Sequence, residues 1–152
     1  MGPQERDSHL SDLSRDLPRL DDNNHTVTSP ADFTYNCIAW AACDTTRWWW
    51  PDTTWGIGYW PRNVPREETL RAFELAYQTI GYRRCPTGDL ESGFEKMAVF
   101  VDAAGTPAHA ARQLANGTWT SKCGENVDIE HELDAVGGGT YGEVALFMKR
   151  RS

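Results

Sequence analysis

The spacing of apolar residues divides the chain into a helical first half and a β-rich second half. In residues 65–81 the large apolar residues recur at helical spacing, and they are Leu70, Phe73, Tyr77 and Ile80. A face of this kind predicts an amphipathic helix that packs against a core. From residue 96 onward the pattern changes to short runs rich in apolar and β-forming residues, which are typical of strands.

The second half predicts a mostly antiparallel sheet with one late helix. The runs typical of strands cover residues 96–102, 108–114, 118–122 and 141–150. Asn116-Gly117 stands between the second and third runs and is a strong hairpin signal. Residues 128–136 carry Ile129, Leu133 and Val136 at helical spacing, which predicts a helix. Helices followed by an antiparallel sheet define an α+β class.

Two helix starts are possible before the first long loop. Ser29 could cap a helix that has Pro30 at its first position. Asn36 could instead cap a helix that begins at Cys37. The sequence leaves open whether this region is one helix or a turn followed by a helix.

The polar N-terminus is predicted to lie outside the folded domain. Residues 1–28 are rich in Asp, Ser, Arg, Asn and Pro, a composition that favours disorder. We therefore expect a disordered segment over residues 1–28 and a single domain over residues 29–152. A short docked helix is the alternative, because leucines recur at helical spacing at Leu10, Leu13, Leu17 and Leu20.

Charge and cysteine spacing narrow the functional classes. The net charge of −7 and the pI near 5.0 argue against a nucleic-acid partner, which would require clustered cations. No apolar run predicts a membrane span, and no secretory signal pattern begins the chain. We therefore expect a cytoplasmic protein, or one exported without such a signal. The four cysteines lack the spacing of a zinc site or of a disulfide scaffold, so we expect free thiols and no metal.

Cys37 and His109 are the candidate catalytic residues. A cysteine at a helix start lies where the backbone N–H groups favour an anion, and an imidazole beside it would favour the thiolate. His109 lies on a predicted strand, whereas His9 and His25 lie in the polar N-terminus. The alternative interpretation is that Cys37 is a buried core residue and His109 a core histidine bonded to a backbone group.

The order of these residues resembles that of papain-like cysteine hydrolases. The stretch TYNCIAWA on an early helix, followed by His109 on a strand of a meander, is most similar to the compact bacterial group of peptidoglycan amidases and endopeptidases. The blocks EKMAVF, HAARQL, GTWTSKCG, DIEHEL and YGEVALFMKR also resemble an uncharacterised bacterial family built around such a core. The resemblance covers residues 31–150.

The resemblance implies a papain-like α+β domain in which Cys37 attacks an amide or isopeptide carbonyl and His109 transfers the proton. No cofactor is implied, and the substrate class would be a peptide, a protein or a peptidoglycan-like polymer. The third catalytic position stays open between Thr120, Ser121 and none. A two-residue turn at Asn116-Gly117 would place Thr120 beside His109, whereas a bulged three-residue turn would place Ser121 there.

Residues 47–65 form an aromatic-rich loop, which we call the tryptophan-rich loop, and its composition predicts a binding surface. It holds five of the seven tryptophans, and its prolines and glycines exclude a long regular element. The candidate substrate-binding residues are Trp48, Trp50, Trp55 and Trp60. If the thiol is inert, the loop predicts a non-catalytic peptide- or glycan-binding module. A toxin-like effector, or the partner protein that neutralises one, is a third hypothesis.

Overall fold

The protein is described by a computed structural model that covers residues 17–21, 23–123 and 127–152. Its centre is a seven-stranded antiparallel sheet in the order β1-β6-β5-β4-β3-β7-β2. The strands are β1 (His25–Ser29), β2 (Arg83–Cys85), β3 (Phe94–Val101), β4 (Pro107–Gln113), β5 (Trp119–Lys122), β6 (Asp128–His131) and β7 (Glu143–Arg151). The four strands predicted from the sequence correspond to β3, β4, β5 and β7 with small shifts at their ends.

The expected α+β, papain-like class, with N-terminal helices packed on a mostly antiparallel sheet, was wrong. The described residues form two short α-helices, α1 (Cys37–Ala41) and α2 (Leu70–Gln78), so the sheet dominates and the fold is mostly β. The helix predicted from residue 65 begins at Leu70 instead, because the side chain of Thr69 caps it by accepting a hydrogen bond from the N–H of Ala72.

The predicted late helix over residues 128–136 was also wrong. Its first part is strand β6, which pairs with β5 and β1, and its second part is a 3₁₀ turn (Leu133–Val136). Ile129 is fully buried in the core on one face of the sheet. Asp128 accepts hydrogen bonds from the hydroxyl of Tyr35, at 2.6 Å, and from Ser29. Partners that are distant in sequence therefore make the strand favourable, although the apolar spacing fits a helix.

Apolar side chains cover both faces of the sheet. Along β3, Met97 and Val99 face α1, α2 and the tryptophan-rich loop, whereas Ala98 and Phe100 face the opposite core. We call these the helix-side core and the far-side core. Because successive side chains of a strand point to opposite faces, every strand residue belongs to one side or the other. This alternation decides which candidate residues meet.

Part of the N-terminal segment predicted to be disordered belongs to the fold. Residues 1–16 and 22 lie outside the described part of the chain. Leu17 and Leu20 are buried in the far-side core, and β1 pairs with β6. The folded domain therefore includes residues that precede the expected boundary at residue 29. Within the described ranges, no helix has both the length and the apolar character that a membrane span requires.

Candidate functional site

Asn36 joins the start of α1 to the tryptophan-rich loop. Its side-chain oxygen accepts hydrogen bonds from the N–H groups of Ala39 and Trp49, each at 3.1 Å. Its side-chain amide donates to the carbonyl of Trp49 at 2.7 Å. The prediction that Asn36 caps a helix beginning at Cys37 is confirmed. One buried side chain therefore fixes both the helix start and the loop beside it.

Cys37 is the first residue of α1, and burial governs its chemistry. Desolvation raises the pKa of this thiol to about 11, although hydrogen bonds from the backbone amides of Ala110, Ile38 and Cys37 itself act in the lowering direction. The dipole of a five-residue helix is too small to reverse the cost of burying a charge. At neutral pH the thiol of Cys37 is therefore protonated.

His109 lies on the other side of the sheet from Cys37. Ala110, the next residue of β4, packs in the helix-side core with Cys37. The ring of His109 is fully buried on the far side, where it stacks on Tyr141 at 3.8 Å between ring centroids and contacts Phe100 edge-on. Among the described residues, no hydrogen bond joins Cys37 to His109. The two residues of the expected pair are thus both placed, but the structure does not bring them together.

Ser121 is the residue that contacts His109. In the β4–β5 hairpin, Gln113 pairs with Trp119, and the N–H of Leu114 bonds the carbonyl of Thr118. This register corresponds to the bulged three-residue turn and not to the two-residue turn. As that alternative predicts, Ser121 lies on the face of His109, with its hydroxyl 2.9 Å from Nε2. Thr120 instead points to the helix side and accepts a hydrogen bond from Trp40.

Ser121 also contacts His131, so three buried polar residues form a chain whose proton positions can be derived. Nδ1 of His131 lies 2.5 Å from the carbonyl of Glu132, which only accepts, so Nδ1 carries the proton. Nε2 of His131 then accepts from the Ser121 hydroxyl at 2.7 Å. Ser121 in turn accepts from Nε2–H of His109. This leaves Nδ1 of His109 as a buried acceptor without a partner among the described residues. We call this arrangement the His–Ser–His chain.

Both histidines of the His–Ser–His chain are neutral at pH 7. Burial, and secondarily the charge that His131 would carry, hold the pKa of His109 well below its ordinary value. Burial lowers the pKa of His131 to about 4. Ser121 is fully buried, so its hydroxyl is not exposed to a substrate in solvent. The His–Ser–His chain is therefore suited to joining strands β4, β5 and β6, and not to transferring a proton to a bound molecule.

We expect Cys37 to resist alkylation in the folded protein. With a pKa of about 11, only about one thiol in ten thousand is ionised at pH 7, and the side chain is buried. Iodoacetamide labelling mapped by mass spectrometry should modify the exposed Cys43 first. Replacement His109→Gln should leave the pH profile of Cys37 unchanged. Labelling of Cys37 at mildly acidic pH that depends on His109 would instead establish an activated pair.

The four candidate tryptophans occupy different environments. Trp50 and Trp60 pack edge-on against Phe73 of α2, at 5.6 and 5.1 Å between ring centroids. Trp60 is buried and donates its indole N–H to the carbonyl of Pro65. Trp48 is half-buried. Trp55 is 78% exposed, so it alone among the four presents most of its surface to solvent.

The segment around Trp55 is organised by Asp52, a residue that no sequence pattern marks as functional. The carboxylate of Asp52 accepts hydrogen bonds from the N–H groups of Thr54, Trp55 and Ile57. These bonds lower the pKa of the carboxyl group, because they favour its charged form. Ile57 is 69% exposed. The carboxylate thus fixes a tight turn, residues 52–58, that presents two large apolar side chains; we call it the Asp52 turn.

The comparisons with known proteins place the chain in a family without assigning an activity. Residues 26–149 match a family described as a domain of unknown function, DUF7689, and the chain belongs to this family. The search of curated proteins found no significant match, and neither did the search of solved structures. In the described part of the chain, no group of three or more His, Cys, Asp or Glu side chains is placed to hold a metal ion.

Proposed function

We propose that this domain is a non-catalytic binding module that captures an apolar segment of a partner protein with Trp55 and Ile57. The observation that carries this proposal is the Asp52 turn, in which one carboxylate accepts hydrogen bonds from three backbone N–H groups while both apolar side chains stay exposed. A turn fixed before binding loses little conformational entropy when it binds. Burial of each side chain would contribute about 2 kcal/mol.

A protein segment fits the Asp52 turn better than a glycan does. Trp55 could stack on either a sugar ring or an apolar side chain. Ile57 offers only aliphatic surface, which cannot satisfy the hydroxyl groups of a sugar. The carboxylate of Asp52 is already engaged by backbone N–H groups. The exposed chemistry of the turn is therefore apolar, and an apolar peptide segment is its complement.

The cysteine-hydrolase expectation stays a prediction, and the geometry gives it no support. Hydrolysis through Cys37 would require a thiolate next to an imidazole and open to a substrate. Cys37 is buried with a raised pKa, and His109 is bonded to Ser121 in the far-side core. The binding proposal uses none of these three residues, so it does not depend on their reactivity.

Selection from a phage-displayed random peptide library on the folded protein tests the proposal. We expect peptides that share an aromatic or aliphatic consensus, with affinities measured by calorimetry. Trp55→Ala should weaken their binding by about 30-fold, the loss typical of a central interface tryptophan. Because Trp55 is 78% exposed, the melting temperature should not change. The matched control is Phe33→Ala, which removes an aromatic side chain that is 71% exposed outside the turn and should leave binding intact.

A second variant tests whether binding depends on the conformation of the turn as well as on its apolar side chains. Asp52→Asn keeps the size of the side chain but replaces one accepting oxygen with an N–H₂ group, which opposes a backbone N–H donor. Binding should weaken while Trp55 is still present. Failure to enrich any peptide, or peptide affinity that survives Trp55→Ala, would overturn the proposal. Binding to a glycan array that is lost in Trp55→Ala would replace the protein segment with a sugar.

A further inference from the structure

A cavity of about 570 Å³ lies on the molecule away from both the Asp52 turn and the His–Ser–His chain. Its lining includes Cys43, Tyr82, Phe94 and Arg112. This volume is within the range of small-molecule sites. Neither the proposed binding function nor the expected hydrolase function uses it.

Cys43 is the exposed cysteine of the chain, whereas Cys37, Cys85 and Cys123 are buried. It follows α1, where its N–H and that of Asp44 bond carbonyls of the helix. Its backbone has a φ of 62°, in the left-handed region that glycine usually occupies at such a helix end. The protein thus has an accessible thiol at a position whose left-handed backbone conformation favours glycine over a residue with a side chain.

The surroundings of Cys43 carry an excess of positive charge. A guanidinium nitrogen of Arg150 lies 3.6 Å from its sulfur. The two carboxylates of the lining are already paired: Glu95 with Arg150 at 2.8 Å, and Glu91 with Lys149 at 2.8 Å and Lys96 at 3.5 Å.

Arg150 contacts Cys43 from outside the lining, whereas Arg112 is itself part of the cavity lining and adds a further cation. Its Nε–H donates to the carbonyl of Trp40 at 3.1 Å, and its guanidinium lies over the Trp40 ring. No carboxylate pairs with Arg112 among the described residues. An anionic ligand therefore matches the charge of the cavity.

Tyr82 gives a second and independent indication of a ligand. It lines the cavity and is 2% exposed, yet its hydroxyl has no hydrogen-bond partner among the described residues. The guanidinium of Arg150 lies over its ring at 4.5 Å. A buried hydroxyl without a partner is costly, and a ligand in the cavity would supply the missing partner.

We propose that Cys43 and this cavity form a site for a small anionic disulfide, which modifies Cys43 by thiol–disulfide exchange. The thiolate of Cys43 attacks one sulfur of the ligand, and a mixed disulfide forms as the S–S bond of the ligand breaks. The departing half leaves as a thiolate and takes up the proton that Cys43 released. Cys43 is oxidised and the departing half is reduced, so the disulfide itself is the oxidant.

Glutathione disulfide, which is anionic, and cystamine, which is cationic, are the two probes. Adduct formation on the folded protein is followed by intact mass and mapped by peptide mass spectrometry. Rates are divided by those of the same protein unfolded in urea, which removes the intrinsic reactivity of each probe. We expect Cys43 to be the modified residue, with a preference for glutathione disulfide of roughly fivefold. Arg150→Gln should remove the preference, and Arg150→Lys should retain it.

Two further variants distinguish a cavity that binds the disulfide from an exposed thiol that reacts without binding it. Cys43→Gly should fold, because glycine adopts the left-handed conformation without strain, and should give no adduct. Tyr82→Phe should lower the equilibrium constant for the mixed disulfide in a glutathione buffer by about 3- to 10-fold, the loss of one hydrogen bond. The absence of an adduct at Cys43 would overturn the proposal. A charge preference that survives Arg150→Gln, or an equilibrium constant that Tyr82→Phe leaves unchanged, would overturn it as well.

Discussion

Lowering the pH from about 6.5 to about 4 is expected to reduce the free energy of unfolding by roughly 3 kcal/mol through His131 alone. His131 has a folded-state pKa of about 4, whereas an unfolded histidine titrates near 6.5. The unfolded chain therefore binds protons first as the pH falls. The contribution is fully present above about pH 6.5 and is lost as the pH approaches about 4. For a domain with a stability of about 5–15 kcal/mol, this loss is large.

The main cause is the burial of His131, and the His–Ser–His chain shows why a second proton on the ring is unfavourable. Protonation of His131 would place a second donor on Nε2, which now accepts from Ser121. Among its other neighbours, His25 acts to lower the pKa further, whereas Glu130 acts to raise it. His109 adds to the loss in the same direction, because its pKa is also lowered by burial and by His131.

The measurement is the free energy of unfolding in urea at a series of pH values between about 7.5 and 4.5. Carboxylates with lowered pKa values, such as Glu74 beside Arg84, begin to lose their contribution at the lower end of this window, and this loss is common to the wild type and the variant compared with it. The variant His131→Gln keeps an acceptor for Ser121 but cannot titrate. Its slope should be smaller than that of the wild type by about 1.4 kcal/mol per pH unit. Equal slopes in the two proteins would show that His131 is not held neutral.

The strands that carry a local sequence signal were predicted correctly. The strands that are stabilised by partners distant in sequence were not predicted. Strand β3 has a continuous apolar run because both of its faces are buried, and the hairpin between β4 and β5 has its own turn signal. Strand β1, HTVTS, is short and largely polar, and it is ordered by pairing with β6. The helical spacing that includes Ile129 fits a strand followed by a 3₁₀ turn equally well. The pairing with β1 and β5 and the hydrogen bonds to Asp128 distinguish the two structures.

The prediction that Cys37 and His109 meet depended on which face of strand β4 packs against α1. The order of Cys37 and His109 is readable in the sequence, and so is the Asn36 cap. The sequence does not indicate which side chains of β4 point toward α1. Because a shift of one residue reverses every side chain of a strand, Ala110 faces Cys37 and His109 faces away. The contact between Ser121 and His109 could be considered from the sequence, because it depends only on the length of the turn between β4 and β5.

The Asp52 turn and Arg150 were missed for a different reason. Asp52 binds backbone N–H groups, which every residue carries, so nothing in the pattern of side chains marks it. Arg150 and Cys43 are far apart in the chain and meet only in the fold. Contacts of these kinds follow from the fold and are not encoded in local spacing.

Asn36→Ala is expected to cost about 3–5 kcal/mol of stability, far more than the loss of an ordinary helix cap. A helix of five residues does not form without tertiary support. Asn36 supplies this support through three buried hydrogen bonds, of which two join it to Trp49. In the alanine variant the N–H and the carbonyl of Trp49 would both lose these partners. Each such orphaned group costs about 1–3 kcal/mol.

Thr69→Ala is the matched control, because the side chain of Thr69 caps α2 through one hydrogen bond from Ala72, at 3.2 Å, and among the described residues it makes no hydrogen bond to a second segment. It should cost about 1 kcal/mol. The difference between the two variants, from urea unfolding at pH 7.5, measures the attachment of α1 to the tryptophan-rich loop. If Asn36→Ala costs no more than Thr69→Ala, the helix start and the loop are held by separate interactions. A large excess means that the loop carrying the Asp52 turn depends on the same residue that positions Cys37.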